Sequence, residues 1–162
     1  MKRYVPYFIF LIPVLAFCTL IFIAPYTARL GEESSGYLMV SKFVYGIFHP
    51  ICHQKPERSF FVFGYPMSVC ARCTGIYIGM LILTILYPLA KRLNDNSTPS
   101  KYYLIASMIP MALDGGTQLL GMRESFNELR FITGFIFGGA LIFYLIPVFN
   151  QLVLKLALKL KK

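Results

Sequence analysis

The sequence predicts an all-α integral membrane protein: a four-helix transmembrane bundle with one additional short helix that is interfacial or half-inserted. Its 162 residues are 57% hydrophobic and have a mean hydropathy of +0.63, which excludes an ordinary soluble domain. Apolar runs of about twenty residues recur, and each is long enough to cross the ~30 Å hydrocarbon core of a bilayer as a helix. Lysine and arginine collect at the ends of these runs. We therefore expect residues 1–162 to form a single transmembrane domain.

The first predicted span covers about residues 4–24. Lys2 and Arg3 precede it, and Pro25 with the polar stretch 29–33 ends it. A cleaved signal peptide is the alternative, but the run is long, contains Pro13 and lacks a small-x-small cleavage site. Cys18 lies inside this span, where a thiol normally serves only for packing.

A shorter helix is predicted from about residue 36 to residue 48. It is too short and too polar to cross the bilayer, which favours an interfacial or half-inserted position. Ser41, Tyr45 and His49 recur every four residues, so they share one helix face. That face would bring His49 towards the cysteines that follow.

Three further spans are predicted at about residues 72–90, 102–120 and 131–149. Gly75 and Gly79 form a G-x-x-x-G face that permits close helix approach, and Pro110 predicts a kink in the third span. The fourth span contains small residues for packing, namely Gly134, Gly138 and Gly139. Residues 151–162 are predicted to form a basic amphipathic tail on the membrane surface.

The distribution of charge predicts the topology. Four spans place both termini on one side, together with the 91–101 loop. On this side the only acidic residue is Asp95, and the basic residues are Lys2, Arg3, Lys91, Arg92, Lys101, Lys155, Lys159, Lys161 and Lys162. This excess predicts a multi-pass protein of the cell (cytoplasmic) membrane with both termini cytoplasmic. The net charge of +9 then indicates anionic lipid headgroups at the cytoplasmic side as partners, and no nucleic acid.

Three of the four cysteines and both histidines lie between residues 49 and 73. Zinc selects thiolate and imidazole ligands, and a C-x-x-C pair can direct both sulfurs to one ion. The predicted zinc ligands are Cys52, His53, Cys70 and Cys73, with His49 as the alternative histidine because adjacent ligands must diverge. A structural disulfide from Cys52 to Cys70 or Cys73, redox-active thiols, and plain buried thiols are the alternatives.

A second polar cluster follows the third span. Asp114 and Gln118 are four residues apart on one helix face, and a carboxylate inside a span often has a function. The candidate catalytic residues are Asp114, Gln118, Arg123 and Arg130. The alternative is that Asp114 only pairs with Arg72 or Arg130 and holds the bundle together.

Arginine side chains on the outer side form a third group. The planar guanidinium suits phosphate or carboxylate groups, so the candidate substrate-binding residues are Arg58, Arg72 and Asn127. A lipid or an anionic small molecule is the expected ligand. Pairing of the arginines with Glu57, Glu124 and Glu128 is the alternative.

Four sequence blocks resemble a family of small prokaryotic membrane proteins classed as a domain of unknown function. The blocks are Cys52-His53-Gln54-x-Pro56-Glu57-Arg58-Ser59-Phe60, Cys70-Ala71-Arg72-Cys73-Thr74-Gly75-Ile76-Tyr77-x-Gly79, Asp114-Gly115-x-Thr117-Gln118 and Arg123-x-Ser125-x-Asn127-x-x-Arg130-x-x-Thr133-Gly134. The resemblance implies a multi-span membrane protein. It carries over no activity, substrate or catalytic residue.

Three functions fit these observations. The first is a metal-dependent enzyme acting on an anionic or lipid-linked substrate, with the metal or Asp114 activating water. The second is a thiol–disulfide redox protein that uses Cys70 and Cys73 at a helix N-terminus. The third is a carrier or flippase with Asp114 as its coupling site. We expect a cavity between the second, third and fourth spans, with Asp114 at its floor and the cysteines and histidines at its rim.

Overall fold

The computed structural model describes residues 4–93 and 95–159, and this part of the chain is mostly helical. Its helices are α1 (Val5–Leu30), α2 (Ser35–Phe48), α3 (Ala71–Ala90), α4 (Lys101–Leu119) and α5 (Asn127–Lys159). Between α2 and α3 the chain forms one turn of 3-10 helix, Pro56–Arg58, and a small antiparallel hairpin of β1 (Phe61–Val62) and β2 (Tyr65–Pro66). The predicted basic residues Lys2, Arg3, Lys161 and Lys162 lie outside the described residues.

Three of these helices, α1, α3 and α5, are long and apolar enough to cross a membrane. The sequence predicted four. The difference is α4, which has 19 residues but is less apolar because it contains Lys101, Asp114 and Gln118. The short helix predicted before the cysteines is α2, which begins at Ser35, one residue earlier than expected.

The closest helix packing joins α3 and α5 through glycine. A Cβ atom added at any of four glycines would collide with a backbone carbonyl of the other helix: Gly75 with Phe131, Gly79 with Phe135, Gly134 with Arg72, and Gly138 with Ile76. This confirms the predicted small-residue contact faces. Residue numbers rise together along both helices in these pairs, so α3 and α5 are parallel and begin at the same end of the bundle.

Helix α1 continues through Pro25 to Leu30, so the end expected near residue 24 was wrong. A proline removes the hydrogen bond to the carbonyl four residues earlier, which here is that of Ile21. The Ser68 hydroxyl donates to this carbonyl at 3.3 Å, and the Ser41 hydroxyl donates to the neighbouring Ala24 carbonyl at 3.0 Å. The Ser68 hydroxyl therefore replaces the lost hydrogen bond, and the helix continues.

The same arrangement occurs at the other end of the bundle. Pro88 lies inside α3 and frees the carbonyl of Thr84, which accepts a hydrogen bond from the Tyr7 hydroxyl of α1 at 2.9 Å. The Cys18 thiol of α1 donates to the Tyr77 carbonyl of α3. The two contacts show that α1 is antiparallel to α3, because residue numbers rise in one helix as they fall in the other. The contact of Cys18 agrees with the packing role expected for it.

Helix α5 continues beyond the predicted end of the fourth span, to Lys159. At ~1.5 Å per residue its length is about 50 Å, well over a ~30 Å hydrocarbon core. The described part of the predicted basic tail is therefore the last turns of α5. Asn150 donates to the Leu93 carbonyl and Gln151 donates to the Asn96 carbonyl, each at 3.2 Å, which joins α5 to the α3–α4 loop.

Candidate functional site

Three cysteines meet where α3 begins. Cys70 is the N-cap residue of α3 and Cys73 lies in its first turn, while Cys52 follows α2. Their three Sγ atoms all lie within 4.8 Å of one another, and all three residues are free thiols. Cys52 and Cys70 are buried in a core with Ile21, Ala24, Val44, Phe48, Met67 and Val69. The structure thus brings together three of the four predicted zinc ligands.

Gln54 fixes the loop that positions Cys52. Its Nε2 atom donates to the carbonyls of Tyr45 in α2 and Ser68 before α3, both at 2.8 Å. Gln54 adopts a φ of 49°, a left-handed conformation that is uncommon for a residue with a side chain. Sequence analysis gave Gln54 no role. Its position directly after Cys52 and His53 was the one feature of the sequence that could have indicated a role in the site.

Hydrogen bonds divide the charge unequally among these thiols. The side chains of Cys70 and Cys73, with the backbone N–H groups of Cys70 and Gln54, donate to the Cys52 sulfur and hold its pKa well below the usual range. The contact between the Cys70 backbone N–H and Cys52 Sγ is 3.1 Å long. The same interaction raises the pKa of Cys70, because its thiol is the donor to Cys52. Cys52 is therefore the first of these two sulfurs to become a thiolate.

Neither histidine belongs to the group of three sulfurs. The side chains of His49 and His53 are both exposed, and His53 Nδ1 accepts a hydrogen bond from the Lys55 backbone at 3.4 Å. A histidine as the fourth ligand stays a prediction. For His53 to bind the metal, the loop after Cys52 would have to turn its imidazole inwards.

The carboxylate of Asp114 is buried and doubly paired. Its side chain is 2% exposed; Arg72 donates to Oδ2 at 2.5 Å and Arg123 donates to Oδ1 at 2.9 Å. Arg123 also donates to the Thr117 hydroxyl at 3.1 Å. This geometry matches the structural alternative for Asp114, with Arg123 in the place considered for Arg130. Two guanidinium groups cover the carboxylate that was expected to form an open cavity floor, and Gln118 is half-buried one turn further along α4.

Arg130 and Asn127 lie in the first turn of α5. Arg130 is 6% exposed and donates to Asn127 Oδ1 at 2.7 Å. Asn127 in turn donates to the Ser59 carbonyl at 3.2 Å, so it joins the loop containing Arg58 to α5. Arg58 is half-buried at the end of the 3-10 turn.

The two clusters lie on different sides of one helix turn. Arg72 and Cys73 are neighbours in α3, and adjacent helical residues point about 100° apart. Cys73 packs against the core that contains Cys52 and Cys70, whereas Arg72 reaches Asp114 of α4. The three cysteines and the Asp114–arginine cluster are therefore neighbours at the start of α3. Arg72 contacts Asp114, whereas Cys73 faces the other cysteines.

A family model described as "Predicted membrane protein (DUF2085)" matches residues 52–144, a segment that contains every residue of both clusters. An uncharacterized protein of Methanocaldococcus jannaschii is 54% identical over 155 residues, which are 96% of this chain and 98% of that protein. An uncharacterized protein of Methanothermobacter thermautotrophicus is 42% identical over 90 residues, which are 54% of this chain and 77% of that protein. No solved structure matches the chain.

Proposed function

Because the chain belongs to the DUF2085 family of predicted membrane proteins, we propose that it is a polytopic membrane protein built around a metal centre at Cys52, Cys70 and Cys73. The metal is zinc, and the protein is a metal-dependent enzyme acting on an anionic or lipid-linked substrate. The grouping of the three sulfurs is the single observation that supports this proposal most directly.

The spacing of the sulfurs suits zinc. A zinc ion binds thiolate at about 2.3 Å with tetrahedral angles, which puts bound sulfurs about 3.8 Å apart. The three Sγ atoms, within 4.8 Å of one another, need only a small inward movement of side chains to reach that spacing. A disulfide, the alternative considered above, would instead require two of these sulfurs to lie about 2.05 Å apart.

Three protein ligands leave one coordination position for water or substrate, which is typical of catalytic zinc. Zinc held in this way would polarise a substrate oxygen or lower the pKa of a bound water to about 7. The other possible occupant of this position is His53, and a closed site of three cysteines and one histidine would favour a structural metal in a carrier or scaffold.

The helix directions support four spans, with α4 as the third. Parallel helices α3 and α5 must cross the bilayer in the same direction, so the chain has to return between them. Helix α4 is the helix in that interval, and its 19 residues span about 28 Å. Since α1 is antiparallel to α3, both ends of the chain then lie on one side, which the positive-inside rule makes cytoplasmic. The cysteine loop lies on the outer side.

The metal proposal is tested by metal analysis of the full chain purified without chelators. We expect about one zinc per chain, and we expect Cys52→Ser, Cys70→Ser and Cys73→Ser each to lose it. Cys18→Ser is the matched control, since Cys18 is also buried and free but lies apart from the three sulfurs, and it should keep full metal content. A Cys70/Cys73 double variant that retained all the zinc would exclude these two residues as ligands.

The same preparation decides the fourth position. Replacement of zinc by cobalt gives absorption bands that report tetrahedral coordination and bound thiolate. If water occupies the fourth position, His53→Ala and His49→Ala leave these bands unchanged, and a new ligand such as azide shifts them. A changed spectrum in His53→Ala alone would assign that imidazole to the metal.

A thiol–disulfide redox protein is the second candidate. Cys70 and Cys73 form a C-x-x-C pair at the N-terminus of α3. Cys52 lies near both as a third thiol, and its lowered pKa makes it the nucleophile for disulfide exchange. Counting free thiols in protein purified under air separates the two functions. Protein without metal, and with two of these three thiols lost to a disulfide, would support the redox function.

A further inference from the structure

Among the residues that the structure describes, Arg130 is a buried charge without an ion-pair partner where α3 and α5 begin. Its side chain is 6% exposed, and its hydrogen-bond acceptor on a side chain is the neutral amide oxygen of Asn127. In the part of the chain that the structure describes, the ion pairs are Arg29–Glu32, Arg72–Asp114, Lys91–Asp95 and Arg123–Asp114, and none includes Arg130. A buried charge without an opposite partner is strongly unfavourable. The fold therefore leaves a counter-charge to be supplied.

Two further arginines surround the same place. The backbone of Arg72 contacts Gly134, which lies one turn after Arg130 on the same face of α5. Arg58 directly precedes Ser59, whose carbonyl is held by Asn127. The Nε atom of Arg72 is buried without a hydrogen-bond partner in the described residues. Positive charge is therefore in excess at this point.

The backbone adds to the positive potential. Helices α3 and α5 are parallel and begin at this end, so both present the positive end of the helix dipole and free N–H groups. Such helix ends bind phosphate. Arginine forks match the oxygen geometry of phosphate, with two parallel hydrogen bonds from one guanidinium.

We propose that Arg58, Arg72 and Arg130 form a binding site for a phosphoryl oxyanion. Arg130 donates to the oxyanion, and Asn127 holds the guanidinium in position while joining it to the loop of Arg58. The inference rests on the proposed function in one respect: in the enzyme, this site would bind the anionic group of the substrate beside the three cysteines. A phosphomonoester lipid headgroup and free phosphate offer the same chemistry.

The test measures phosphate binding to the full chain in detergent by titration calorimetry. We expect wild-type protein to bind inorganic phosphate and Arg130→Gln to bind it about ten- to a hundredfold more weakly, because a hydrogen bond to a charged partner is lost. Arg29→Gln is the matched control: Arg29 is half-exposed and pairs with Glu32, so its loss removes one charge from the chain and should leave the affinity unchanged. If Arg130→Gln does not fold, Arg58→Gln takes its place, with a several-fold loss expected.

A second arm identifies the source of the phosphate. The protein is reconstituted in phosphatidylcholine bilayers with and without phosphatidic acid, and the lipid retained after purification is measured. Retained phosphatidic acid without affinity for inorganic phosphate assigns the site to a lipid headgroup, and affinity for inorganic phosphate alone assigns it to a soluble ligand. Failure of both probes with wild-type protein overturns the proposal.

A third arm separates this site from the metal centre. Phosphate affinity is measured again after the metal has been removed with a chelator. We expect it to be retained, because the ligands are arginines, and this result holds even if the wild-type protein contains no metal at all. Loss of binding on metal removal, with normal binding by Arg130→Gln, would place the oxyanion on the metal and refute an arginine site.

Discussion

At the residue scale, Asp114 accounts for the position of two charged side chains. One buried carboxylate holds Arg72 of α3 and Arg123 of the α4–α5 loop in fixed positions. A carboxylate in a bilayer is costly unless it is paired, and here each oxygen has its own guanidinium. The geometry therefore favours a structural role for Asp114 over the predicted catalytic or coupling role.

Asp114→Asn tests this role. The amide keeps the shape but leaves two arginines facing a neutral group, and loss of one partner of a buried pair costs about 3 kcal/mol. We expect a clear drop in the free energy of unfolding, followed by chemical denaturation in detergent. Asp95→Asn is the control, because Asp95 is exposed and its pair with Lys91 lies at the surface, where an ion pair contributes little to stability. Retained stability with loss of transport or turnover would instead assign Asp114 to function.

Sequence analysis reached some of these residues and missed others for a physical reason. Cys52, Cys70 and Cys73 could be grouped because thiol chemistry and the C-x-x-C spacing act locally. Pairing of Asp114 with Arg72 or Arg130 was predicted as one of two alternatives; the structure shows Arg72 and Arg123 as its partners. Gln54 was missed because its role depends on the carbonyls of Tyr45 and Ser68, and no pattern in the sequence shows which backbone groups will meet.

At the scale of elements, the glycine contacts between α3 and α5 determine how closely the helices approach. The sequence contains these glycines at helical spacing, so the contact faces could be predicted. The ends of α1 and α5 could not. The continuation of α1 past Pro25 involves a serine hydroxyl from a distant loop, and α5 contacts the α3–α4 loop beyond the predicted end of the fourth span. Neither contact follows a pattern in the sequence.

Gly138→Ala tests the α3–α5 contact. A methyl group at this position would collide with the Ile76 carbonyl, so the helices must separate and we expect a loss of about 1–3 kcal/mol in the free energy of unfolding. Gly116→Ala is the matched control in α4, where no atom lies within 4 Å of the added Cβ, and it should be neutral or stabilising by about 0.5–1 kcal/mol. Equal effects of the two substitutions would contradict the importance of this contact.

Tyr7→Phe tests the hydrogen bond that replaces the one lost at Pro88. The substitution leaves the Thr84 carbonyl buried without a donor, and we expect a cost of about 1–3 kcal/mol. In a Pro88→Ala background the helix can form its own hydrogen bond to Thr84, so Tyr7→Phe should then cost much less. A double-mutant cycle measures this coupling, and a coupling energy near zero would show that the Tyr7 hydroxyl does not serve this carbonyl.

At the scale of the whole molecule, the helix directions place the cysteine loop and the arginine cluster at one end of the bundle, and the α3–α4 loop at the other. The sequence could predict this arrangement because charge asymmetry and span number are properties of the complete chain. The sequence already suggested that the carboxylate of α4 pairs with Arg72, but it did not show that Arg123 is the second partner.

The orientation is tested by labelling single introduced cysteines in intact cells with a membrane-impermeant maleimide. Lys42 in α2 and Thr98 in the α3–α4 loop are both exposed. We expect Lys42→Cys to be labelled from outside and Thr98→Cys to be labelled only after the cells are opened. The unsubstituted protein provides the background from the four native cysteines. The opposite pattern would reverse the orientation.

The parallel packing of α3 and α5 has a consequence for biogenesis. As the chain is synthesised, α3 enters the bilayer with its glycine face uncovered, and its true partner arrives only after α4. The pair that neutralises Asp114 spans 42 residues of sequence, so Arg72 is already in the membrane when Asp114 follows it. If α4 crosses the bilayer as proposed, its carboxylate therefore meets the guanidinium of Arg72 on a helix that is already inserted. Helix α5 then arrives last and covers the glycine face of α3.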